Sequence, residues 1–210
     1  MSYDIEAELR AAAERNGRPS STRAAGGFVR RAVDEGLVDI AYATTPSPVG
    51  DLLVASTKKG LVKVSFLGFR TQDEVLQRIS DNVSPRIMEA PERVDDIRRE
   101  LDEYFEGKRH QFDVPLDLAL VKGFQTKILE ATARIPYGQH LSYKEVATKA
   151  GNANASRAAG NALGANPIPI VIPCHRVWAA GGQLGGYTGG VDRKRVLLEL
   201  EGSLQPELGF

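Results

Sequence analysis

Residues 168–190 read Ile-Pro-Ile-Val-Ile-Pro-Cys-His-Arg-Val-Trp-Ala-Ala-Gly-Gly-Gln-Leu-Gly-Gly-Tyr-Thr-Gly-Gly, and the organisation of the chain is best understood from this stretch. It contains the only cysteine, Cys174, followed directly by His175, one of three histidines. A thiol reacts as its thiolate, and a free thiol with a pKa of about 8.5 is mostly protonated at neutral pH. An adjacent imidazole can accept that proton, so Cys174 is a candidate nucleophile and His175 its candidate base.

The Cys174–His175 pair needs a turn, because adjacent side chains of an extended segment point in opposite directions. Pro173 fixes its own φ and favours an extended conformation at Ile172, which predicts that the turn begins here. The alternative is that Cys174 is a small buried hydrophobic residue without chemistry.

The segments before this stretch have the pattern of a helix-turn-helix. Residues Phe124 to Ile135 are amphipathic, and Ser142 with a glutamate three residues later forms a capping box for a helix from Tyr143 to Ala150. A Gly/Asn turn leads to an alanine-rich helix from Ala155 to Ala165, with Arg157 on its first turn. Two short helices joined in this way are typical of DNA-binding modules.

The first half of the chain predicts a small sheet with helices against it. Turn residues separate short β-branched runs, which favours an antiparallel meander, and apolar residues then follow a helical period. The predicted strands are Asp39 to Thr44, Asp51 to Thr57, Leu61 to Phe66 and His110 to Leu116, and the predicted helices are Thr71 to Ile79 and Arg93 to Phe105. Two further helices, Ser2 to Arg15 and Thr22 to Glu35, are expected in an N-terminal extension.

Composition restricts the class of protein. With 42% hydrophobic and 26% charged residues, the sequence is that of a globular protein, and a single cysteine excludes an intramolecular disulfide. No apolar run approaches the roughly 20 residues of a membrane span, and the N-terminus is acidic where a signal peptide is basic. We therefore expect a cytoplasmic protein with no membrane partner.

The charge is distributed unevenly although the formal net charge is zero. From Val121 to Glu201 there are ten lysines and arginines against five aspartates and glutamates, whereas the part before Val121 is acidic. A basic C-terminal half is what a local nucleic-acid-binding surface would show. A chance fluctuation among solvated side chains is the alternative.

Several motifs together resemble those of the O6-alkylguanine-DNA alkyltransferases, the methylated-DNA-protein-cysteine methyltransferases. These are Asn-Pro-Ile-Pro-Ile-Val-Ile-Pro-Cys-His-Arg-Val at 166–177, Gly-Gly-Tyr-Thr-Gly-Gly at 185–190, Ile-Pro-Tyr-Gly at 135–138, and a C-terminal Lys194-x-x-Leu-Leu-x-x-Glu201-Gly pattern. They occur in the order of that family and close to its spacing. The resemblance spans about Ile40 to Gly202.

The resemblance implies an α+β fold in two parts. A small N-terminal α/β sheet domain like that of ribonuclease H would cover residues 37–118. A mainly helical, winged-helix-like DNA-binding domain carrying the active site would cover residues 119–203. Residues 1–36 would be an N-terminal helical extension and residues 204–210 a tail.

The resemblance also implies a suicide DNA-repair reaction. Cys174 would accept the alkyl group from O6 of guanine, with O4 of thymine as a second candidate, in a single irreversible transfer. His175 would act as the base through a water molecule, Glu201 would orient the imidazole, and Asn166 would be the hinge of the active-site segment. A thioether does not revert to a thiol, so one turnover per molecule is expected.

Substrate recognition is implied by the same resemblance. The partner would be double-stranded DNA containing alkylated guanine, bound by a monomer through the minor groove with the target base flipped out. The residues implied in binding DNA or substrate are Tyr143, Arg157, Ala158, Val177, Tyr187 and Thr188. Association with the nucleoid would follow from DNA binding. Trp178 stands where relatives usually carry a smaller aliphatic residue, and we interpret it as a structural tryptophan.

No cofactor is expected, and no metal site either. Some members of the family bind a structural zinc, but here the single cysteine is committed to chemistry and only His110, His140 and His175 remain as ligands. His110 is interpreted as a surface residue.

Three other functions compete with this interpretation. An alkyltransferase-like protein would bind the lesion without repair, but such proteins lack the cysteine. A cysteine hydrolase using Cys174, His175 and Glu201 would need an oxyanion hole and would leave the helix-turn-helix unexplained. A transcription regulator would leave the Pro-Cys-His-Arg segment unexplained.

Overall fold

The computed structural model describes residues 31–32 and 35–205. Met1–Val38 groups as a unit separate from Asp39–Phe210, and every element below belongs to the second unit. The helix expected at Ser2 to Arg15 and nearly all of the helix expected at Thr22 to Glu35 lie outside the described residues, as do residues 206–210 of the tail.

A four-stranded sheet forms the first part of this unit. Its strands are β1 (Ile40–Thr45), β2 (Leu52–Thr57), β3 (Gly60–Phe66) and β4 (Ile87–Glu89), in the order β3-β2-β1-β4. The first three pair antiparallel, which confirms the predicted meander. Strand β4 was not predicted; it pairs parallel to β1 through three residues, too few to show a period in the sequence.

Two helices accompany the sheet. Helix α1 (Gln72–Asn82) begins at a capping box formed by Thr71 and buries Val75 and Ile79 against sheet residues such as Leu53 and Val62. A 3₁₀ turn at Pro91–Arg93 precedes α2 (Asp95–Phe105), whose buried face includes Ile97, Leu101 and Tyr104. Burial of one apolar face supplies most of the stability of such short helices.

The strand predicted from His110 to Leu116 is wrong. Only Leu116 makes an isolated bridge, to Leu61 on the edge strand β3. That bridge consists of two backbone hydrogen bonds, Leu61 N–H to Pro115 O and Asp117 N–H to Leu61 O, each at 2.8 Å. Before it the pairing does not continue, because Pro115 has no N–H to donate and the Asp113 N–H donates to the Glu100 carboxylate at 2.9 Å. Period-two alternation alone could not show these competing partners.

The second part is mainly helical, which confirms the α+β fold. It contains α3 (Phe124–Ala133), α4 (Tyr143–Lys149), α5 (Ser156–Gly164) and α6 (Val191–Leu200), with a small parallel pair of β5 (Leu141–Ser142) and β6 (Val177–Trp178). The predicted capping box at α4 is present: Ser142 Oγ accepts the backbone N–H of Glu145 at 3.2 Å. Helices α3, α4 and α5 pack against one another and carry the segment that follows α5.

Among the described residues, no helix is both long and apolar enough to cross a membrane.

Candidate active site

The segment between α5 and β6 holds Cys174 in a compact turn. Residues Cys174–Arg176 form a single 3₁₀ turn that begins directly after Pro173, which confirms the predicted position of the turn. Upstream, Ile170 has a φ of 74°, a left-handed conformation that is rare and costly for a β-branched residue. Hydrogen bonds from the neighbouring Asn166 side chain help to hold the segment in this conformation.

Asn166 is the main anchor of this segment. Its side-chain oxygen accepts the Ile168 N–H at 3.0 Å, and its amide nitrogen donates to Ile172 O at 2.9 Å. The same nitrogen lies 3.1 Å from Cys174 Sγ and donates to it. The side chain of this buried residue therefore joins the end of α5 to the thiol.

The Cys174 thiol is buried and protonated at rest. Only 4% of the residue is exposed, and burial raises the pKa of the thiol to about 11, although the Asn166 amide favours the thiolate. Removing a sulfur from water disfavours its charged form. In this state Cys174 is a neutral thiol and therefore a weak nucleophile.

A small cavity opens onto the sulfur. It has a volume of about 170 Å³ and is lined by Tyr143, Gly160, Leu163, Gly164, Cys174, Gly186, Tyr187 and Thr188. Three of the residues expected in substrate binding, Tyr143, Tyr187 and Thr188, are thus brought to Cys174. The structure also adds Gly160, Leu163 and Gly164 from α5, to which the sequence gave no role in the pocket. Thr188 fastens this wall, since its hydroxyl lies 3.1 Å from Leu163 O.

A buried carboxylate network lies behind the cysteine. Glu201 Oε1 lies 2.8 Å from His175 Nε2, and the Arg176 guanidinium donates to both carboxylate oxygens at 2.8 and 2.9 Å. The side chains of His175 and Glu201 are fully buried. Burial alone would raise the pKa of the Glu201 carboxyl, but the hydrogen bonds from His175 and Arg176 outweigh it and lower this pKa to about 2. Glu201 is therefore ionised at neutral pH.

The ionised carboxylate fixes the proton of His175. A carboxylate only accepts hydrogen bonds, so the proton of a neutral imidazole lies on Nε2 and the lone pair lies on Nδ1. Burial lowers the pKa of His175, which keeps the ring neutral. Within the described part of the chain, the buried Nδ1 atom has no hydrogen-bond partner. His175 is therefore in the tautomer of a base.

Two further groups donate to Glu201 and a third, Lys194, binds the segment after Arg176; sequence reasoning assigned a role to none of the three. The Tyr104 hydroxyl donates to Glu201 Oε1 at 2.7 Å, and the Gly138 N–H donates to Oε2 at 3.3 Å. Lys194 is fully buried, and its ammonium donates to the carbonyls of Val177 and Leu184. Burial lowers the pKa of this lysine to about 8.

The glycine-rich loop over the cavity rests on the sheet. Tyr187 packs edge to face against Phe66 of β3, with ring centroids 5.9 Å apart. A Cβ atom at Gly189 would lie 2.6 Å from the Phe66 ring, so this position admits only glycine while the loop keeps its place. Arg193 ties the loop further, because its guanidinium donates to Val49 O and Gly189 O.

Three expected DNA or substrate contacts lie outside the cavity wall. Arg157 and Ala158 are exposed on α5, as a surface contact requires, whereas the nearby Ala162 is buried. Val177 is buried on β6, and its carbonyl accepts from Lys194 Nζ at 2.6 Å. A carbonyl has two lone pairs, so Val177 O retains capacity for a second donor.

The aromatic residues outside the site have structural positions. Trp178 is partly buried and stacks on His140, with ring centroids 4.1 Å apart and planes 12° apart. His110 is exposed and stacks on Tyr137. In residues 31–32 and 35–205, no group of three or more His, Cys, Asp or Glu side chains is arranged to hold a metal ion.

Comparison with known proteins assigns this arrangement to a family. Residues 123–203 match the DNA-binding domain of 6-O-methylguanine DNA methyltransferase, and residues 40–118 match the ribonuclease-like domain of the same family. The chain belongs to the 6-O-methylguanine DNA methyltransferase family. The motifs that carry the resemblance in the sequence therefore reflect membership of that family.

Individual relatives agree with this assignment. A methylated-DNA–protein-cysteine methyltransferase of Methanosarcina acetivorans is 40% identical over 162 residues, which cover 77% of this chain and 98% of the relative. The inducible enzyme of Bacillus subtilis is 38% identical over 160 residues, covering 74% and 86%. The crystal structure of the O6-methylguanine methyltransferase of Mycobacterium tuberculosis superposes with a TM-score of 0.67 at 38% identity, covering 80% and 96%. A structure of the M. tuberculosis protein in complex with DNA has a TM-score of 0.66, covering 78% and 93%.

Proposed function

We propose that this chain is a methylated-DNA–protein-cysteine methyltransferase that repairs O6-alkylguanine in duplex DNA by moving the alkyl group to Cys174. The observation that carries the proposal is the position of Cys174. Cys174 lines a cavity of about 170 Å³ and is followed directly in the chain by His175, which forms a buried pair with Glu201, in a chain of this family.

The reaction is a single displacement. Cys174 Sγ attacks the alkyl carbon, the C–S bond forms, and the bond from that carbon to O6 breaks. The electron pair of the broken bond stays with the purine, and this anion takes up one proton to become unmodified guanine, which balances the proton that the thiol gives up. A thioether does not return to a thiol under cellular conditions, so each molecule reacts once, and the proposed reaction needs no cofactor.

The thiol proton has to leave as the sulfur attacks. We assign its acceptance to His175 Nδ1 through one water molecule, because Nε2 is already bound to the ionised Glu201. Glu201 stabilises the imidazolium that forms and holds the ring in its orientation, as the carboxylate does in a catalytic triad. Asn166 donates to the developing thiolate and holds the turn in place.

The target base has to leave the helix before it can react. A base in a duplex is stacked and paired, so an enzyme acting on it extrudes the nucleotide at a cost of a few kcal/mol. We propose that the exposed Arg157 occupies the vacated position and that Ala158 lets α5 approach the minor groove closely. Tyr143, Tyr187 and Thr188 would then enclose the flipped base beside Cys174, and Val177 O would accept from its amino group.

The remaining assignments are part of the same proposal. The protein would act as a monomer on double-stranded DNA, in the cytoplasm and on the nucleoid. Residues 37–118 would form the sheet domain and residues 119–203 the domain that carries the site, with residues 1–36 as an extension and residues 204–210 as a tail. O4-alkylthymine is a second candidate substrate.

The test is the intact mass of the protein after mixing with excess duplex DNA that contains one O6-methylguanine, followed by peptide mapping. We expect a gain of one methyl group, located on Cys174, that does not exceed one with time. The same duplex with unmodified guanine and the variant Cys174→Ala are the controls, and neither should show a gain. Unchanged mass with tight lesion binding would instead indicate an alkyltransferase-like binding protein. The absence of both a mass gain and lesion binding would refute the proposal.

A further inference from the structure

One donor to the catalytic carboxylate comes from the sheet part of the protein. Tyr104 lies near the end of α2, is fully buried, and donates from its hydroxyl to Glu201 Oε1 at 2.7 Å. The two residues are 97 positions apart in the sequence. Tyr104 lies in the region matched to the ribonuclease-like domain, whereas Cys174, His175 and Glu201 lie in the region matched to the DNA-binding domain.

Tyr104 and His175 share one acceptor atom. Glu201 Oε1 lies 2.8 Å from His175 Nε2, 2.7 Å from the Tyr104 hydroxyl and 2.9 Å from Arg176 Nη2. A carboxylate oxygen offers about two lone pairs, so three donors compete for its negative charge. The strength of the bond from His175 therefore depends on whether Tyr104 donates as well.

The Tyr104 hydroxyl is a fixed donor. Burial and the charge of Glu201 hold the pKa of this phenol well above its ordinary value, so it keeps its proton. Its ring is packed against Phe105, Phe112 and Tyr137, with centroid distances of 5.3, 5.4 and 6.2 Å. Because the ring is packed and an ionised carboxylate only accepts, the protonated hydroxyl can bind Glu201 only as a donor, and it constrains where Oε1 lies.

We propose that Tyr104 is a positioning residue of the alkyl transfer, which fixes the Glu201 carboxylate and thereby the orientation and basicity of His175. This inference rests on the proposed function. Its consequence is that the sheet part completes the active site: without α2, Glu201 Oε1 would lose the donor that Tyr104 supplies. The helical part alone would contain every reacting group but would hold them less well.

The variant Tyr104→Phe tests this, because it keeps the packed ring and removes only the hydroxyl. We expect the first-order rate of methyl transfer from duplex O6-methylguanine to fall by about tenfold, the lower end of what one hydrogen bond to a charged group contributes, because the lost positioning of Glu201 and His175 outweighs any gain in the basicity of the imidazole. The final yield should remain one methyl per protein. Affinity for the lesion, measured in the Cys174→Ala background, should not change, because Tyr104 does not line the cavity.

Tyr137→Phe is the matched control. Its hydroxyl belongs to the same aromatic cluster and donates to the backbone carbonyl of Leu200 at 2.9 Å, one residue from Glu201, but not to the carboxylate. A loss of stability common to both variants would be seen in their melting temperatures. We expect only Tyr104→Phe to change the transfer rate of the folded protein.

The pH dependence of transfer separates positioning from packing. When Tyr104 no longer competes for Oε1, Glu201 binds the His175 proton more strongly, so the pKa of His175 rises. Transfer needs neutral His175, and the acid limb of the rate should therefore move to higher pH in Tyr104→Phe and stay in place in Tyr137→Phe. An equal rate and an unmoved acid limb in Tyr104→Phe would refute the inference.

A second substitution keeps the test decisive if Tyr104→Phe does not fold. Replacing Tyr104 with 3-fluorotyrosine retains the ring and the hydroxyl but makes the phenol a stronger donor, so the acid limb should move to lower pH. No movement would count against the inference. Failure of the proposed function is recognised separately, because the wild-type protein would then accept no methyl group at all.

Discussion

The amide nitrogen of Asn166 donates to the sulfur of Cys174 across 3.1 Å, and both residues are buried. One side chain thus favours the thiolate and also closes the turn that carries it, through bonds to the backbone of Ile168 and Ile172. Structure and reactivity at Cys174 therefore depend on the same amide.

We expect Asn166→Ala to lower the free energy of unfolding by about 1 to 3 kcal/mol, because it leaves the buried Ile168 N–H without its acceptor and removes one of the two donors to the Ile172 carbonyl. The rate of transfer to Cys174 should fall as well, because the thiolate loses its donor. Denaturant unfolding and single-turnover kinetics measure the two effects.

Asn161→Ala is the control for this substitution. Asn161 is exposed in the interior of α5, where alanine is a good helix former, so stability should change by less than about 0.5 kcal/mol. Equal losses in the two variants would contradict the role of the Asn166 side chain.

Cys174 should react slowly with soluble reagents at neutral pH. Its thiol has a pKa of about 11, so the rate of iodoacetamide alkylation should rise tenfold per pH unit and level off only near pH 11. In denaturant, the same cysteine should level off near pH 8.5, as a free thiol does. Intact mass against time gives both rates, and it is unambiguous because the chain has one cysteine. A plateau near pH 7 in the folded protein would contradict a buried neutral thiol.

Glu201→Gln should destabilise the protein strongly. It leaves the Arg176 guanidinium buried without its counter-ion, a change that usually costs about 3 to 5 kcal/mol. The pKa of Glu201 is lowered to about 2, so the carboxylate stabilises the folded state above the ordinary carboxyl pKa of 4.5, and this contribution is lost as the pH falls through 2. The difference from wild type should thus be full above about pH 5 and should narrow towards pH 2.

Glu199→Gln provides the comparison for that change. Glu199 lies in α6, two residues before Glu201, but is only partly buried, and its replacement should cost less than about 0.5 kcal/mol. Chemical denaturation at several pH values distinguishes the two variants.

Removing the cap of α4 should affect both stability and transfer. Ser142→Ala deletes the acceptor for the Glu145 N–H at the start of the helix whose first residue, Tyr143, lines the cavity. We expect a loss of about 1 kcal/mol in unfolding free energy and slower transfer, because Tyr143 is held less firmly. Thermal melting and single-turnover rates measure these changes.

Thr71→Ala removes an equivalent cap from α1, in a capping box of the same kind but away from the cavity. It should cost a similar free energy and leave the transfer rate unchanged. If both variants slowed transfer equally, the effect of Ser142 would be general destabilisation.

Local signals in the sequence predicted local structure well. The capping box at Ser142 and the turn after Pro173 depend on neighbouring residues, and both are present. The strand expected at His110 to Leu116 failed because Glu100, on another element, binds the Asp113 backbone. The sequence of this segment alone does not show that a side chain from another element will bind its backbone.

The site was predicted unevenly for the same reason. Cys174 and His175 could be proposed from their chemistry, whereas Glu201 and Asn166 depended on the family resemblance. In the sequence, Tyr104 is simply one residue of the helix predicted from Arg93 to Phe105, and Lys194 is only part of a motif. Their roles come from contacts with segments far away in the chain. Hydrophobic periodicity reflects only local structure and cannot predict such contacts.

The burial of Cys174 finally bears on how long a molecule remains usable. A protein that is consumed by its own reaction is wasted by any adventitious electrophile or oxidant, and thiolates are the forms that these agents attack. With 4% exposure and a pKa of about 11, the sulfur is nearly inert in storage. Cys174 should therefore react mainly with a ligand that fits the cavity. The amount of protein with unalkylated Cys174 should then fall as DNA damage accumulates, and not simply with time since synthesis.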